Sequence, residues 1–392
     1  MNTAQLFADV GFSQCQKHGQ LICGDAFKYR KLPAENRLIA VLSDGLGSGI
    51  KANILSSMTA AMAMRFVSEN TEIMRSAEIM MSALPICQVR KISYATYTIV
   101  DTAFNGKTRI IEMGNPPFVL VRNGKTLELP YQEIDSPKWE NRTMRIYDFD
   151  ITAQDRLIFF SDGISQAGMG SEDYPLGWRN AGCCEYLEQF LADDNEISAH
   201  ELAENVIRQA LQKEAKYLAG DDMTCAVMYF RQPRKMLLFT GPPFNPGRDA
   251  ECAATFDGFD GDKVICGGTT AKIIARELKR EIKMDLNSAT CDLPPVSGME
   301  GATLITEGIF TLTKTAQYLE AGISGARNCP AGQLVNILLK NDVVELLAGT
   351  RINEAHQDPN LPVDLEIRRN IVKRIAAVLK EKYLKEVIIK YV

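Results

Sequence analysis

Histidine is scarce in this chain of 392 residues, which contains only His18, His200 and His356. A zinc site built on histidine ligands is therefore not expected. The ten cysteines include the adjacent Cys183 and Cys184 but no C-x-x-C pair, and several lie in apolar runs. We expect them to be reduced, buried thiols of a cytoplasmic protein.

Strong net charge and long hydrophobic runs are also missing. The formal net charge of −5 indicates neither a nucleic acid nor an anionic membrane as a partner. The longest membrane-like stretch, Ile54 to Met64, is too short to span a bilayer and includes Ser and Thr. The N-terminal sequence MNTAQLFADVGF lacks a basic region followed by a long apolar one, so a signal peptide is not expected.

Two nucleophile motifs of other hydrolases are absent, since the chain has no cysteine-phosphatase loop and no Gly-x-Ser-x-Gly elbow. The composition that is present, 46% hydrophobic and 24% charged, is that of an ordinary globular protein. The length predicts two or three domains. The polar, Pro-containing segment Arg231 to Lys235 favours a boundary between residues 1–232 and residues 233–392.

The sequence LSDGLGSG at Leu42 to Gly49 organises the first two-thirds of the chain. The apolar run that ends at Leu42 predicts a buried strand, the three glycines a turn, and the stretch Lys51 to Val67 a helix. The glycines have no side chains to cover the backbone beside Asp44, so a cation or a phosphate can approach its carboxylate. The structural alternative is that Asp-Gly only shapes a turn.

Three further acidic motifs weigh against a turn alone. RLIFFSDG at 156–163 repeats the strand and Ser-Asp-Gly ending of RLIAVLSDG at 37–45, GDDMT at 220–224 leads into an apolar run, and GDAF at 24–27 lies upstream. Several carboxylates that converge at strand ends cannot all stay ionised unless metal ions lie among them. Together the motifs favour a metal site.

These four motifs, in this order and at these spacings, resemble those of the PPM family of metal-dependent Ser/Thr protein phosphatases, and within it the stage II sporulation protein E-like branch. YATYTIVD at 94–101 and MGNPPFVLVRNG at 113–124 also match, although the family more often has His where Asn115 stands. The resemblance covers about residues 10–230. It implies an α+β fold, an α-β-β-α sandwich of two antiparallel sheets flanked by helices, for the domain 1–232.

The resemblance also implies a site for two Mn²⁺ or Mg²⁺ ions, hard cations that prefer oxygen ligands. Asp44 would bridge the two ions, and the backbone carbonyl of Gly45 would complete one of them. Asp162 and Asp221 would bind the other ion. Asp25 would act as a direct ligand or through waters.

The implied activity is hydrolysis of phosphoserine and phosphothreonine by attack of a metal-activated water on phosphorus. The implied substrate is a small phosphorylated regulatory protein, such as an anti-anti-sigma-factor-like domain in bacterial partner switching. The alternative, from a different class, is a non-catalytic binding or scaffold module with the same fold. Loss of a metal-binding acid would favour that alternative, and none is lost.

Some positions depart from the family pattern. Asp222 stands where the family has Asn or Asp, and it is predicted to position the metal ligands without binding the ion itself. Some family members hold the phosphate with an arginine, but here only Lys28, Arg30 and Lys31 lie near the first motif, and none is placed convincingly. No histidine lies near a motif, so a metal-bound water would protonate the leaving group.

Alternating strand and helix patterns predict that residues 233–392 form a small α/β domain with a regulatory or ligand-binding role. The turn Gly267-Gly268-Thr269-Thr270 between a strand and a helix has two interpretations. It is a phosphate cradle at a helix N-terminus, or, as we favour, a tight turn with a Thr N-cap. The polar loop TRINEAHQDPN at 350–360 is interpreted as solvated, with a ligand site as the alternative.

Local patterns predict the elements around the motifs. Asn105-Gly106 and Asn123-Gly124 predict β-hairpins, and a second helix is predicted over 73–83. Ser198 with Glu201 predicts a capping box at the start of a helix that ends at Gly220. In the helix after Gly49, the stripe of Met and Ala residues is predicted to face the core. That stripe consists of Met58, Ala61, Met62 and Phe66.

Overall fold

The computed structural model describes residues 6–71, 75–76, 79–80, 95–135, 143–284, 293–323, 329–351, 361–383 and 385–392. The chain divides into two compact units, Met1–Gln232 and Pro233–Val392. Each unit has its own sheets and its own buried hydrophobic clusters. Most of the predicted helix over 73–83, Tyr94 and most of the loop 350–360 lie outside the described residues, and residues 75–76 and 79–80 are helical.

The strands of the first unit form two antiparallel sheets. The first sheet has the order β1 (Phe7–Cys15), β11 (Met223–Arg231), β10 (Arg156–Phe160), β6 (Val119–Arg122) and β7 (Lys125–Leu127). The second has the order β2 (Ala26–Leu32), β3 (Arg37–Gly45), β4 (Ala95–Ala103), β5 (Lys107–Met113), β9 (Thr143–Asp150) and β8 (Gln132–Asp135). Both predicted hairpins are confirmed, and Asn123 and Gly124 have the positive φ angles of 53° and 74° that a two-residue turn requires.

The two sheets of the first unit pack face to face. Leu38, Ala40 and Leu42 of β3 lie in one buried cluster with Phe159 of β10 and Met228 of β11. Alternate residues of these strands point to the outer faces, which helices cover. The predicted α-β-β-α sandwich is therefore confirmed, because helices flank both sheets.

Helix α1 (Gly49–Ser68) covers the outer face of the second sheet. The first sheet is covered by α3 (Arg179–Asp193) and α4 (Ala199–Leu211), and the single turn α2 (Asp162–Ser165) follows β10. Helix α4 begins with the predicted capping box of Ser198 and Glu201. Its predicted end at Gly220 is wrong, because the helix ends at Leu211 and the chain turns through positive φ angles at Lys216 and Tyr217.

The predicted buried stripe of α1 is confirmed only in part, because Met62 and Phe66 are half-buried against the core. Met58 is 46% exposed and Ala61 is exposed, and the helix buries small side chains instead. The buried positions are Gly49, Ala52, Ser56, Thr59, Ala60 and Ala63. Small residues lie there because the helix backbone approaches the sheet closely.

The second unit is a mostly parallel sheet with helices on both faces. The spatial order is β14 (Lys283–Met284), β15 (Ser297–Met299), β16 (Ala302–Thr306), β13 (Asp262–Cys266), β12 (Lys235–Thr240), β17 (Val343–Ala348) and β18 (Glu386–Tyr391). Pairing is parallel from β16 to β18 and antiparallel from β14 to β16. The predicted α/β architecture of this part of the chain is confirmed.

Two groups of helices cover the sheet of the second unit. Helices α5 (Asp249–Asp257) and α6 (Gly268–Leu278) pack on one face. Helices α7 (Ile309–Ala321), α8 (Pro330–Lys340) and α9 (Leu361–Glu381) pack on the other. Across the described part of both units, none of the helices combines the length and the apolar character that crossing a bilayer requires.

Candidate active site

Asp44 is placed by the close passage of α1 over the end of β3. Residues Leu38 to Leu42 of this strand have no exposed surface, and Asp44 lies opposite Thr96 of β4. A methyl group in place of the Gly45 hydrogen would lie 2.1 Å from the backbone carbonyl oxygen of Ala52. Only glycine therefore permits the helix to cross directly behind Asp44.

The other three predicted ligands lie where strands begin or end. Asp25 precedes β2, Asp162 begins α2 directly after β10, and Asp221 precedes β11. Gln166 Nε2 donates to Asp162 Oδ2 at 3.0 Å. A side chain at Gly163 would lie 2.2 Å from the backbone oxygen of Asp222, so the second Ser-Asp-Gly turn packs against the GDDMT segment.

The charge of Asp44 interacts with those of the other three acids. Burial, followed by the charges of Asp25 and Asp162 and a smaller contribution from Asp221, raises the pKa of Asp44 to about 10. Burial also raises the pKa of Asp162, which is hydrogen-bonded to Asp44 and is affected by the charge of Asp221. Charges that oppose one another in this way favour protons or cations in their midst.

Asp25 is held by residues whose role the sequence did not reveal. Its carboxylate is 2% exposed, and Oδ2 accepts a hydrogen bond of 2.7 Å from Thr224 Oγ1, which in turn accepts one of 3.0 Å from Gln14 Nε2. Burial raises the pKa of Asp25 to about 6, although the nearby hydroxyl groups of Ser161 and Thr224 oppose the shift. The other oxygen, Oδ1, is buried without a hydrogen-bond partner.

The cluster fits a hard divalent cation in the kind of donors it offers. These are carboxylate oxygens, one of them buried and unpartnered, and the backbone carbonyl of Gly45. Among the described residues, however, no three His, Cys, Asp or Glu side chains converge as a ready coordination set. The donor chemistry thus fits a hard cation, whereas the described side chains do not form a coordination set.

Asp222 lies beside this cluster and joins two loops, and its charge adds to the raised pKa of Asp25. Its Oδ1 accepts the backbone N–H of Lys17 at 3.0 Å, and its own N–H donates to Asp221 Oδ1 at 3.0 Å. The side chain is 4% exposed, and a methyl group at Gly24 would lie 2.7 Å from Asp222 Oδ2. This placement is that of a residue which supports Asp221 and the loop before Asp25.

The basic residues near the first motif do not point into the cluster. Lys28 and Arg30 are exposed on β2, and Lys31 Nζ lies 4.3 Å from the centroid of the Phe7 ring. Asn115, where the family more often has His, is tied to β4, because it contacts the Thr96 hydroxyl and donates to Thr98 Oγ1 at 3.1 Å.

In the second unit, the backbone of the Gly267 to Thr270 turn is engaged within the protein. The N–H of Gly267 donates to Thr306 O at 3.0 Å, and the N–H of Gly268 donates to Glu307 O at 3.1 Å. The N-cap of α6 is Gly267, with φ of 136° and no side-chain cap, so the predicted Thr N-cap is wrong. Two N–H groups that a phosphate cradle would use are thus already paired, which favours the turn.

The sequence model of the stage II sporulation protein E (SpoIIE) family matches residues 34–231. Stage II sporulation protein E of Priestia megaterium is 22% identical over 229 residues, which are 57% of this chain and 37% of that protein. The chain thus spans little more than a third of the length of this curated relative.

Two solved structures are also similar. The phosphatase domain of SpoIIE from Bacillus subtilis is 18% identical with a TM-score of 0.44, covering 58% of this chain and 94% of that one. The RsbU and RsbW domains of a Mycobacterium tuberculosis protein are 16% identical with a TM-score of 0.49, covering 64% and 68%. The family match itself spans just over half of the residues, and the chain therefore belongs to the stage II sporulation protein E (SpoIIE) family.

Proposed function

We propose that the chain is a divalent-metal-dependent phosphatase that hydrolyses phosphoserine and phosphothreonine. The observation that carries the proposal is the meeting of Asp25, Asp44, Asp162 and Asp221, which come from four separate motifs. Buried carboxylates that oppose one another's charge cost stability unless they bind something cationic. Membership of the SpoIIE family supports the same function.

The residues that would hold two Mn²⁺ or Mg²⁺ ions are Asp44, the carbonyl of Gly45, Asp162 and Asp221, with Asp25 as a direct or water-mediated ligand. When bound, such ions lower the pKa of water and neutralise phosphoryl oxygens. Asp44 is central because its charge acts on, or is acted on by, each of the other three acids. Thr224 orients Asp25 by its hydrogen bond of 2.7 Å.

Thiol chemistry has no support at this site. Burial, with the charge of Asp25 as the next cause, raises the pKa of the Cys23 thiol to about 12, so the thiolate form is scarce at neutral pH. Cys225 is fully buried, and burial raises its pKa further. The described cysteines are free, which agrees with a cytoplasmic setting.

The proposed substrate is a small phosphorylated regulatory protein in a bacterial partner-switching pathway, with the second unit binding a regulatory ligand or protein. The test is release of phosphate from a phosphoserine peptide and from an aryl phosphate by the full chain. Wild type should hydrolyse both with Mn²⁺ or Mg²⁺, and an Asp162→Asn variant should not. Metal-loaded, folded wild type that hydrolyses no phosphate ester would favour the non-catalytic binding module instead.

A further inference from the structure

A positively charged side chain beside the acid cluster could contact the phosphate of a substrate. Lys28, Arg30 and Lys31 lie along β2, which leads away from Asp25, and the ring contact of Lys31 with Phe7 occupies its ammonium group. The loop between β1 and β2 provides a different positively charged side chain.

Lys17 lies in a turn of that loop which is fastened to the GDDMT segment. Its backbone N–H donates to Asp222 Oδ1 at 3.0 Å, and the N–H of His18 donates to Ala219 O at 2.9 Å. The N–H of Gln20 closes the turn on the carbonyl of Lys17 at 3.0 Å. The main chain of Lys17 is therefore fixed relative to Asp221, independently of the conformation of the Lys17 side chain.

The Lys17 ammonium lies 3.5 Å from Asp221 Oδ1, and the two side chains are 39% and 43% exposed. Asp25 is only 2% exposed. The Lys17–Asp221 pair thus forms the solvent-facing edge of the acid cluster, where a phosphate group would arrive. An exposed pair at this distance contributes little to stability, so the fixed backbone is not explained by the strength of the pair.

We propose that the Lys17 ammonium binds the phosphoryl oxygens of the substrate and of the released phosphate, an inference that rests on the proposed phosphatase function. A lysine offers three donors and a compact charge, which suit a phosphate approached from one side. Because the backbone is fixed, only side-chain torsions have to be ordered when phosphate binds. When Asp221 binds a cation, its carboxylate no longer requires the ammonium as counter-charge.

The competing role for Lys17 is that of a counter-ion for Asp221 alone. The two roles predict different results for Lys17→Met. Loss of a phosphate-binding cation weakens phosphate binding, whereas loss of a counter-ion leaves phosphate binding unchanged and tightens Mn²⁺ binding, because the metal no longer competes with the ammonium.

The experiment uses the full Mn²⁺-loaded chain as wild type, Lys17→Met, Lys17→Arg and the control Lys28→Met, which removes an exposed lysine three residues from Asp25. Calorimetry measures the Kd for inorganic phosphate and for Mn²⁺, and inhibition of aryl phosphate hydrolysis measures the Ki of phosphate. Lys17→Met should raise the phosphate Kd and Ki by roughly 10–100-fold, raising KM more than it lowers kcat. Lys17→Arg should recover most of the affinity, and Lys28→Met should match wild type.

Unchanged phosphate affinity in Lys17→Met, with or without tighter Mn²⁺ binding, would overturn the assignment. Calorimetry separates this failure from that of the proposed function. If wild type hydrolyses esters but Lys17→Met binds phosphate normally, only the role of Lys17 is wrong. If wild type binds phosphate through Lys17 but hydrolyses no ester, the phosphatase proposal is wrong and the binding site remains.

Discussion

The carboxyl group of Asp44 lies where burial and the neighbouring acids all oppose its charge. Such a position is unfavourable for a carboxyl group, so other parts of the structure must fix it there. Here the position of Asp44 is fixed by helix α1, which crosses close behind Gly45. Strain of this kind is common at sites whose ligand later offsets it. Asp222, which follows Asp221 directly, has a different environment, because it accepts the backbone N–H of Lys17.

This contrast predicts unequal effects of two similar substitutions. Asp44→Asn removes a carboxylate that interacts with every other acid of the cluster and should lower kcat by several orders of magnitude. Asp222→Asn leaves an oxygen that can accept the backbone N–H of Lys17, so it should lower kcat by only roughly 10–100-fold. Steady-state hydrolysis of an aryl phosphate by folded variants measures both. Equal losses would mean that Asp44 has no special place among the acids.

The same carboxyl groups predict how stability depends on pH in the absence of metal. The pKa values of Asp44 and Asp25 in the fold, about 10 and about 6, exceed the value of about 3.9 in an unfolded chain. Between these values the folded state holds more protons than the unfolded state, so the free energy of unfolding falls as pH rises. Urea unfolding from pH 5 to 9 with a chelator should show this decline.

Two controls accompany that measurement. Asp44→Asn should flatten the decline, since an amide does not titrate, and saturating Mn²⁺ should do the same in wild type by replacing the protons. Burial raises the pKa of Glu112 to about 7, so Glu112→Gln should remove a separate part of the slope. A metal-free protein that becomes more stable as pH rises would contradict the assigned charges.

At the scale of single residues, the sequence singled out the four acids and Asp222, but it gave no sign of the residues that hold Asp25. Asp25, Asp44, Asp162 and Asp221 stand in Gly-containing motifs at strand ends, a pattern visible without coordinates. Thr224 and Gln14 reach Asp25 only because β1 pairs with β11. No spacing in the sequence specifies that pairing, since the two residues are far apart along the chain.

At the scale of elements, the strand–turn–helix unit from β3 to α1 depends on one glycine. Gly45→Ala would place a methyl group 2.1 Å from the backbone oxygen of Ala52, and backbone atoms cannot move aside as a flexible side chain can. We expect a loss of roughly 1–3 kcal/mol in the free energy of unfolding, together with a large loss of activity because Asp44 shifts. Denaturant unfolding and aryl phosphate hydrolysis measure the two effects.

The matched control is Gly220→Ala, which changes the glycine beside Asp221. The three atoms nearest to a methyl group there belong to the side chain of Glu214, at 3.4 Å or more. Its stability should stay within about 0.5 kcal/mol of wild type. If Gly45→Ala were as stable and active as Gly220→Ala, the close crossing of α1 would not determine the position of Asp44.

The same close crossing explains why the buried face of α1 could not be predicted. The core face of a helix normally carries its large hydrophobic side chains. In α1, however, the small residues Ala52, Ser56 and Ala60 are buried, and Met58 is exposed to solvent. Where local signals are strong, prediction succeeded, as in the capping box at Ser198. The end of α4 was predicted wrongly because the helical spacing of apolar residues continues beyond Leu211, into residues that are not helical.

At the scale of the whole molecule, the chain contains two units with separate cores. The buried clusters of residues 1–232 and those of residues 233–392 share no member among the described residues. The polar segment at 231–235 was the sequence signal for this division. The sequence offered the Gly267 to Thr270 turn as a signal for the role of the second unit, but the N–H groups of Gly267 and Gly268 are paired within the fold.

Separate cores predict that a chain ending at Gln232 folds alone. All four proposed metal-binding acids lie in that unit, so it should still hydrolyse an aryl phosphate within about tenfold of the full chain, while regulation or protein-substrate preference changes. Circular dichroism, thermal unfolding and kinetics of the truncated chain provide the test. A soluble, well-folded truncated chain without activity would show that the second unit contributes to catalysis.

The most direct test of the central claim is removal and return of the metal in the full chain. Aryl phosphate hydrolysis should vanish after treatment with a chelator, return on addition of Mn²⁺ or Mg²⁺, and survive alkylation of accessible thiols under native conditions. Asp44→Asn should show no return at any Mn²⁺ concentration that restores wild type. Hydrolysis that persists in fully metal-stripped protein would contradict the account, because the four acids would then not act by holding cations.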